Sequence, residues 1–187
     1  MLLKYFTPAL YLKSFEDLDL NWLISRKIRL LILDIDNTLA AHDEQTAGVQ
    51  AQAFVQKLKD HGIQAVVMSN NNKDRVSLFA SSLDVPYYYF STKPLKRMYK
   101  KVLRDTGLQP EQCAVIGDQL LTDILGGNRM HFVTILTTPL VSRDITWTKL
   151  NRLVENQVYR CLEQAEILKR GEYDERKMSG LRRRTAA

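Results

Sequence analysis

The sequence predicts an α/β fold, in which a parallel β-sheet is covered by helices on both faces. Three observations lead to this prediction. Short and almost wholly apolar runs recur at intervals of roughly 20 to 30 residues. Amphipathic segments with helical periodicity separate these runs. Polar side chains follow the ends of successive runs, as they do at the carboxyl edge of an open parallel sheet.

The first half of the pattern is a strand, a helix and a strand. Segment 30–33 is apolar at every position, as expected for a strand buried on both faces. Segment 46–60 repeats apolar residues at helical spacing, and Gly62 follows as a stop signal. The apolar run 63–68 is then predicted as the second strand.

The second half continues the alternation. Segment 73–83 places apolar residues on one helical face, and the aromatic run 86–90 is predicted as a strand. Segment 94–106 is a further amphipathic helix. The short apolar runs 113–116 and 132–136 complete the predicted sheet.

Composition is consistent with one globular domain. The 187-residue chain is 45% hydrophobic and 26% charged, which is enough to bury a core. Cys113 and Cys161 form no CxxC pair, so neither a disulfide framework nor a zinc site is indicated. A cytoplasmic location is the simplest expectation.

The flanks define the predicted boundaries: an apolar and amphipathic flank over 1–28, the core over 29–140, a covering helix over 141–170 and a basic, disordered tail over 171–187. The first flank is expected to pack on the core as an additional helix. Alternatively, its Tyr5, Phe6, Tyr11 and Lys13 touch a membrane interface. The net charge of the chain is +6, and residues 169–187 carry seven Lys and Arg against three acids. A solvated tail is the simpler interpretation, with contact to anionic lipid or RNA as the alternative.

Polar residues at the ends of four predicted strands should meet in one crevice. They are Asp34 and Asp36, then Ser69-Asn70-Asn71, then Lys93-Pro94, then Gly117-Asp118 with Asp123 beyond. Several carboxylates in one crevice repel each other unless a cation holds them, and oxygen ligands suit Mg²⁺. A lysine and a serine hydroxyl beside them would complement a phosphate.

These four segments resemble, in order and spacing, the motifs of the haloacid dehalogenase superfamily of phosphatases. The resemblance covers residues 30 to about 137 and is closest to the YqeG group of subfamily IIIA, which is similar to the mitochondrial phosphatidylglycerophosphate phosphatases. It implies a Rossmann-like core. The spacing between the motifs leaves room for no cap domain.

The resemblance also implies a mechanism. Asp34 would attack phosphorus and form an aspartyl-phosphate, and Asp36 would act as general acid and then general base. Mg²⁺ would be bound by the carboxylates of Asp34 and Asp118 and the backbone carbonyl of Asp36. Asp123 would bind a metal water or orient Lys93.

The remaining motif residues are expected to hold the phosphoryl group. Ser69, the backbone N–H of Asn70 and Lys93 would bind its oxygens, where charge must be stabilised as the bond breaks. Thr38 is placed with them as a residue that orders the loop around Asp36.

An open crevice suits a substrate whose bulk stays outside it. The leading hypothesis is a Mg²⁺-dependent phosphomonoesterase for phosphatidylglycerophosphate or a similar anionic lipid, in peripheral contact with the cytoplasmic face of the membrane. A phosphatase for a protein or nucleic acid terminus is the second hypothesis. A phosphate-sensing or RNA-associated module is the third, although a binding role alone has no need of Asp36.

Overall fold

The computed structural model describes residues 2–140 and 148–174, with the backbone alone for 148–152. The strands in this part of the chain are β1 (Leu10–Leu12), β2 (Leu30–Leu33), β3 (Gln64–Met68), β4 (Tyr87–Tyr88), β5 (Cys113–Gly117) and β6 (Val133–Thr137). The α-helices are α1 (Leu20–Ser25), α2 (Val49–Asp60), α3 (Lys73–Leu83), α4 (Lys96–Thr106), α5 (Leu125–Arg129) and α6 (Thr148–Gln164). The strands form one parallel sheet in the order β1-β6-β5-β2-β3-β4.

Helices bury both faces of the central strand β2. Leu31 belongs to a core cluster with Phe54 of α2, whereas the adjacent Leu30 belongs to a second cluster with Tyr99 of α4. Successive side chains of a strand point to opposite faces, which explains why the whole run is apolar. The predicted parallel sheet with helices on both faces is therefore confirmed.

The register of the sheet aligns the ends of the central strands. Leu33 at the end of β2 pairs with Val67 of β3 on one side and with Ile116 of β5 on the other. The residues that follow these strands consequently emerge at one edge of the sheet. The segments 37–68 and 72–92 contribute α2, β3, α3 and β4 as their only regular elements, so neither holds a cap domain.

The N-terminal flank contributes the expected additional helix, and also a strand that was not predicted. Leu10–Leu12 pairs with β6 at the edge of the sheet, and α1 follows after a short 3₁₀ turn. Tyr11 is buried with Leu120 and Leu162. Its ring is therefore part of the core, and the predicted contact of Tyr11 with a membrane was wrong.

The C-terminal segment packs against β1 at the edge of the sheet. Leu162 of α6 is buried, and the ring of Tyr173 lies 5.0 Å from that of Tyr11. The backbone N–H of Tyr11 donates to Asp174 Oδ2, and the N–H of Asp174 donates to the Tyr11 carbonyl, at 2.9 and 2.8 Å. The predicted disordered tail was thus wrong for 171–174, and its residues 175–187 lie outside the described part of the chain, as does 141–147 of the predicted covering helix.

None of the helices in the described residues combines the length and the apolar composition that a membrane crossing requires.

Candidate active site

Three buried carboxylates meet at the carboxyl edge of the sheet. Asp34 follows β2, Asp118 follows β5, and Asp123 lies in a π-helical turn over 120–124. One oxygen of each lies within 4.8 Å of the others. Because parallel strands end together, two of these groups are brought side by side by register alone.

The ammonium group of Lys93 lies among these carboxylates. Its Nζ donates to Asp34 Oδ1 at 2.5 Å, to Asp123 Oδ1 at 2.6 Å and to the carbonyl of Met68 at 3.1 Å. The lysine is itself buried. One cation thus faces three carboxylates, which leaves the cluster short of positive charge.

Burial and this shortage of positive charge shift the pKa values of the cluster. Burial raises the pKa of Asp34 from 3.8 to about 7, in spite of the opposing charge of Lys93. Burial also raises the pKa of Asp118 well above its ordinary value, and the charges of Asp34 and Asp123 add to the effect. The pKa of Lys93 is raised because the two aspartates outweigh its burial. A divalent cation fits this donor set, since it would supply the missing charge to oxygen ligands that suit it.

The small residue at the end of β5 makes room for Asp123. A Cβ atom on Gly117 would lie 2.3 Å from Asp123 Cγ, which no real contact allows. Glycine at this position therefore permits the close approach that brings Asp123 to Lys93.

Asp36 contacts Arg75 and His42, which were not predicted, as well as Ser69 and Asn71 of the predicted segment. Its Oδ1 accepts from Arg75 Nη2 at 3.0 Å and lies 3.3 Å from His42 Nδ1. Its Oδ2 accepts from Asn71 Nδ2 at 3.4 Å and from the Ser69 hydroxyl at 3.5 Å. The side chain of Asp36 is 21% exposed, against 10% for that of Asp34, two residues earlier.

The contact of Arg75 with Asp36 could not be predicted from a sequence motif. It lies in the first turn of α3, where it donates to Asp36 and to the backbone carbonyls of Ala41 and Glu44. A cation in the first turn of a surface helix is usually solvated, and the sequence gives no sign that this one turns inward. His42 likewise stands in a polar loop without any flanking pattern.

The three predicted phosphate-binding residues besides Lys93 line the same crevice. Thr38 Oγ1 lies 3.4 Å from both Asp34 Oδ2 and Asp118 Oδ1, and Ser69 is buried at the end of β3. The backbone N–H of Asn70 remains a predicted phosphate ligand, and the Asn70 side chain also holds the loop of Lys93: its Oδ1 accepts from the Lys93 N–H at 2.7 Å, and its Nδ2 donates to the Lys93 carbonyl at 3.2 Å. This positioning of the lysine by Asn70 was not predicted.

The fold and the sheet-edge cluster define a phosphatase of the haloacid dehalogenase superfamily. Comparison with known proteins leads to the same class. A family model described as mitochondrial PGP phosphatase matches residues 3–141, and the chain belongs to this family. It is 39% identical, over 163 residues, to the "Probable phosphatase YqeG" of Bacillus subtilis (strain 168), covering 87% of this chain and 95% of that protein.

Solved structures agree on the fold. A crystal structure of an uncharacterized protein from Listeria monocytogenes matches with a TM-score of 0.50 and 14% identity, covering 64% of this chain and 85% of that one. A hypothetical protein from Xanthomonas campestris matches with a TM-score of 0.51 and 16% identity, covering 69% and 73%. At such identities the likeness concerns the α/β fold alone.

Proposed function

We propose that the protein is a Mg²⁺-dependent phosphomonoesterase that works through an aspartyl-phosphate on Asp34. The observation that carries this proposal is the separation of two carboxyl groups only two residues apart. Asp34 contacts the buried Lys93, whereas Asp36 is more exposed and contacts Arg75. Two carboxyl groups in such different surroundings can take different roles, Asp34 as nucleophile and Asp36 as acid and base.

The chain's own groups account for the two steps of hydrolysis. A carboxylate oxygen of Asp34 forms a bond to phosphorus as the ester P–O bond breaks, and Asp36 gives its proton to the departing alkoxide oxygen. In the second step Asp36 takes a proton from water, whose oxygen attacks phosphorus and releases Asp34. Lys93 and Ser69 would hold the phosphoryl oxygens, while Asn70 fixes the loop of Lys93.

Magnesium belongs to the proposal as the cation that the carboxylate cluster needs. Asp34 and Asp118 would hold it with the backbone carbonyl of Asp36, and Asp123 would orient Lys93. When bound, the cation supplies positive charge for the phosphoryl oxygens in the transition state.

We further propose a lipid phosphate such as phosphatidylglycerophosphate as the substrate. The crevice is not roofed by segments 37–68 or 72–92, so a substrate with a bulky remainder could reach Asp34. The description of the matching family supports the same substrate class.

The test is a comparison of phosphate release from three substrates under identical Mg²⁺ conditions. The substrates are phosphatidylglycerophosphate in mixed micelles, a phosphopeptide and a 5′-phosphorylated oligonucleotide. The lipid is expected to be turned over fastest, and Asp34→Asn is expected to lower every rate more than about a thousandfold. Normal turnover by Asp34→Asn would refute the mechanism, and preference for either other substrate would refute the lipid assignment.

A further inference from the structure

Three apolar side chains are exposed on the segment that carries Lys93. Tyr89 is 38% exposed, Phe90 58% and Leu95 55%. The rings of Tyr89 and Phe90 pack edge to face with their centroids 5.8 Å apart. Large apolar side chains grouped on a surface, rather than scattered singly, indicate an interaction site.

The backbone holds this exposed group in an unfavourable conformation. Phe90 has a φ of +41° and Thr92 a φ of +52°, in the left-handed region that is unfavourable for L-residues. The Phe90 N–H donates to the Asn71 carbonyl at 2.9 Å, and the Ser91 N–H donates to the Ser69 carbonyl at 3.1 Å. This conformation ends β4 at Tyr88, although the sequence predicted a strand over 86–90. A bulky side chain in a strained and exposed position indicates a role other than folding.

Positive charge lies directly beside these apolar side chains. The segment from 93 to 104 contains Lys93, Lys96, Arg97, Lys100, Lys101 and Arg104 and no acidic residue. Lys96 and Lys100 are exposed and four residues apart, so they lie on the same face of α4. Neither forms an ion pair with another described residue, whereas Lys101 pairs with Asp105.

A groove continues this surface on the other side of Lys96. Its volume is about 460 Å³, and it is lined by Leu2, Tyr5, Leu125, Lys96, Arg129 and His131. The lining combines apolar with basic side chains and contains no carboxylate. Such a lining suits a molecule with an anionic head and an apolar body.

We propose that a basic–aromatic rim, made of Tyr89, Phe90, Leu95, Lys96 and Lys100, docks the protein on an anionic phospholipid bilayer. The rings and the leucine would enter the interface and the lysines would bind the headgroups. Since Lys93 lies within the same segment and contacts Asp34, docking brings the mouth of the crevice to the lipid surface. This inference rests on the proposed lipid substrate and assigns the contact to the rim rather than to Tyr11, which is buried.

The experiment measures co-sedimentation of the full-length protein with vesicles of phosphatidylglycerol or of phosphatidylcholine. The parent is expected to bind phosphatidylglycerol at low salt and to release it at high salt, because salt screens the attraction. Lys96→Gln with Lys100→Gln is expected to weaken this binding about thirtyfold, given about 1 kcal/mol per cation. Phe90→Asn with Leu95→Gln should weaken it at least about tenfold through lost apolar contact.

A matched control tests the location of the contact. Leu78→Gln with Lys57→Gln removes one exposed apolar residue and one exposed cation from α3 and α2, and it should bind vesicles like the parent. Asparagine is chosen at position 90 because it tolerates positive φ. All these variants should hydrolyse a small soluble phosphate ester at the parental rate, since none alters a residue of the crevice.

A fluorescence measurement keeps the proposal testable if the double variants fold poorly. The emission of Phe90→Trp should shift to shorter wavelength when phosphatidylglycerol vesicles are added, and that of Leu78→Trp should not. No vesicle binding by the parent, equal binding by the rim variants, or an unchanged Phe90→Trp emission would each overturn the proposal. A dimer that Phe90→Asn converts to a monomer would also overturn it, since a second copy would then cover the rim.

Failure of the docking and failure of the substrate assignment are distinguishable. If the rim variants lose vesicle binding while the parent hydrolyses no lipid phosphate, the docking stands and the substrate assignment fails. If the parent hydrolyses the lipid in micelles and the rim variants bind vesicles as the parent does, the docking fails and the substrate assignment stands.

Discussion

Replacing the buried Asp34 with asparagine should make the stability of the metal-free protein depend less on pH between about 4 and 7. The rise in the pKa of Asp34 from 3.8 to about 7 means that the folded state holds this proton more tightly than the unfolded state. A difference of this size corresponds to about 4 kcal/mol at 1.36 kcal/mol per pKa unit. The folded state therefore loses stability as the pH rises from about 4 to about 7, through the ionisation of this one group.

Asp34→Asn isolates this contribution because asparagine stays neutral and has nearly the same shape. Both proteins would be unfolded with urea in EDTA at several pH values from 4 to 8, with tryptophan fluorescence as the signal. The free energy of unfolding of the variant, relative to the parent, is expected to increase by about 4 kcal/mol across this range. Adding Mg²⁺ at pH 8 should stabilise the parent more than the variant, because the variant lacks one charged ligand.

An exposed carboxyl group supplies a control of opposite sign. A hydrogen bond from Lys101 lowers the pKa of Asp105, so this group stabilises the fold above its unfolded pKa and ceases to do so in acid. Asp105→Asn should therefore lose stability relative to the parent as the pH rises to about 4, in a series extended to more acid pH, and the difference should then stay constant up to pH 8. A difference between Asp34→Asn and the parent that stays constant from pH 4 to 8 would refute the reasoning, since Lys93 would then compensate the burial of Asp34 completely.

Five further variants test other features of the crevice and the sheet edge. Asp36→Asn should lower turnover by about a hundredfold or more, while calorimetry should show that Mg²⁺ still binds. Asp118→Asn should instead raise the Mg²⁺ concentration needed for turnover. An equal loss of Mg²⁺ affinity in both variants would contradict these separate roles. Gly117→Ala should lower the free energy of unfolding by about 3 kcal/mol, measured in urea, because its Cβ displaces Asp123 from Lys93. A chain ending at Asp174 should melt at a higher temperature than one ending at 170, because only the longer chain keeps the hydrogen bonds between Asp174 and Tyr11.

The central strands could be predicted from the sequence because strands that are buried on both faces consist almost wholly of apolar residues. Leu30–Leu33 is apolar throughout, and the structure buries all four residues completely. The strand Leu10–Leu12 could not be recognised in this way. Three residues are too few to show a period, and the surrounding aromatic residues fit a helical face equally well.

The crevice was predictable where the fold itself brings residues together. The ends of parallel strands meet by register, so Asp34 and Asp118 could be placed side by side from the sequence. The contact between Arg75 and Asp36 depends instead on how a long side chain turns back from α3 to a loop 39 residues earlier. Such a contact is determined by packing, and neither periodicity nor spacing carries information about it.

The position of β1 has a consequence for synthesis on the ribosome. This strand emerges first, yet its sheet partner is β6, and its hydrogen bonds to Asp174 join residues 163 positions apart. At about 5–20 residues per second, roughly 8–30 seconds separate the translation of Tyr11 from that of Asp174. The strand β6 is translated earlier, but until Asp174 is made the backbone of Tyr11 lacks these two hydrogen bonds, so this edge of the sheet cannot close completely before then.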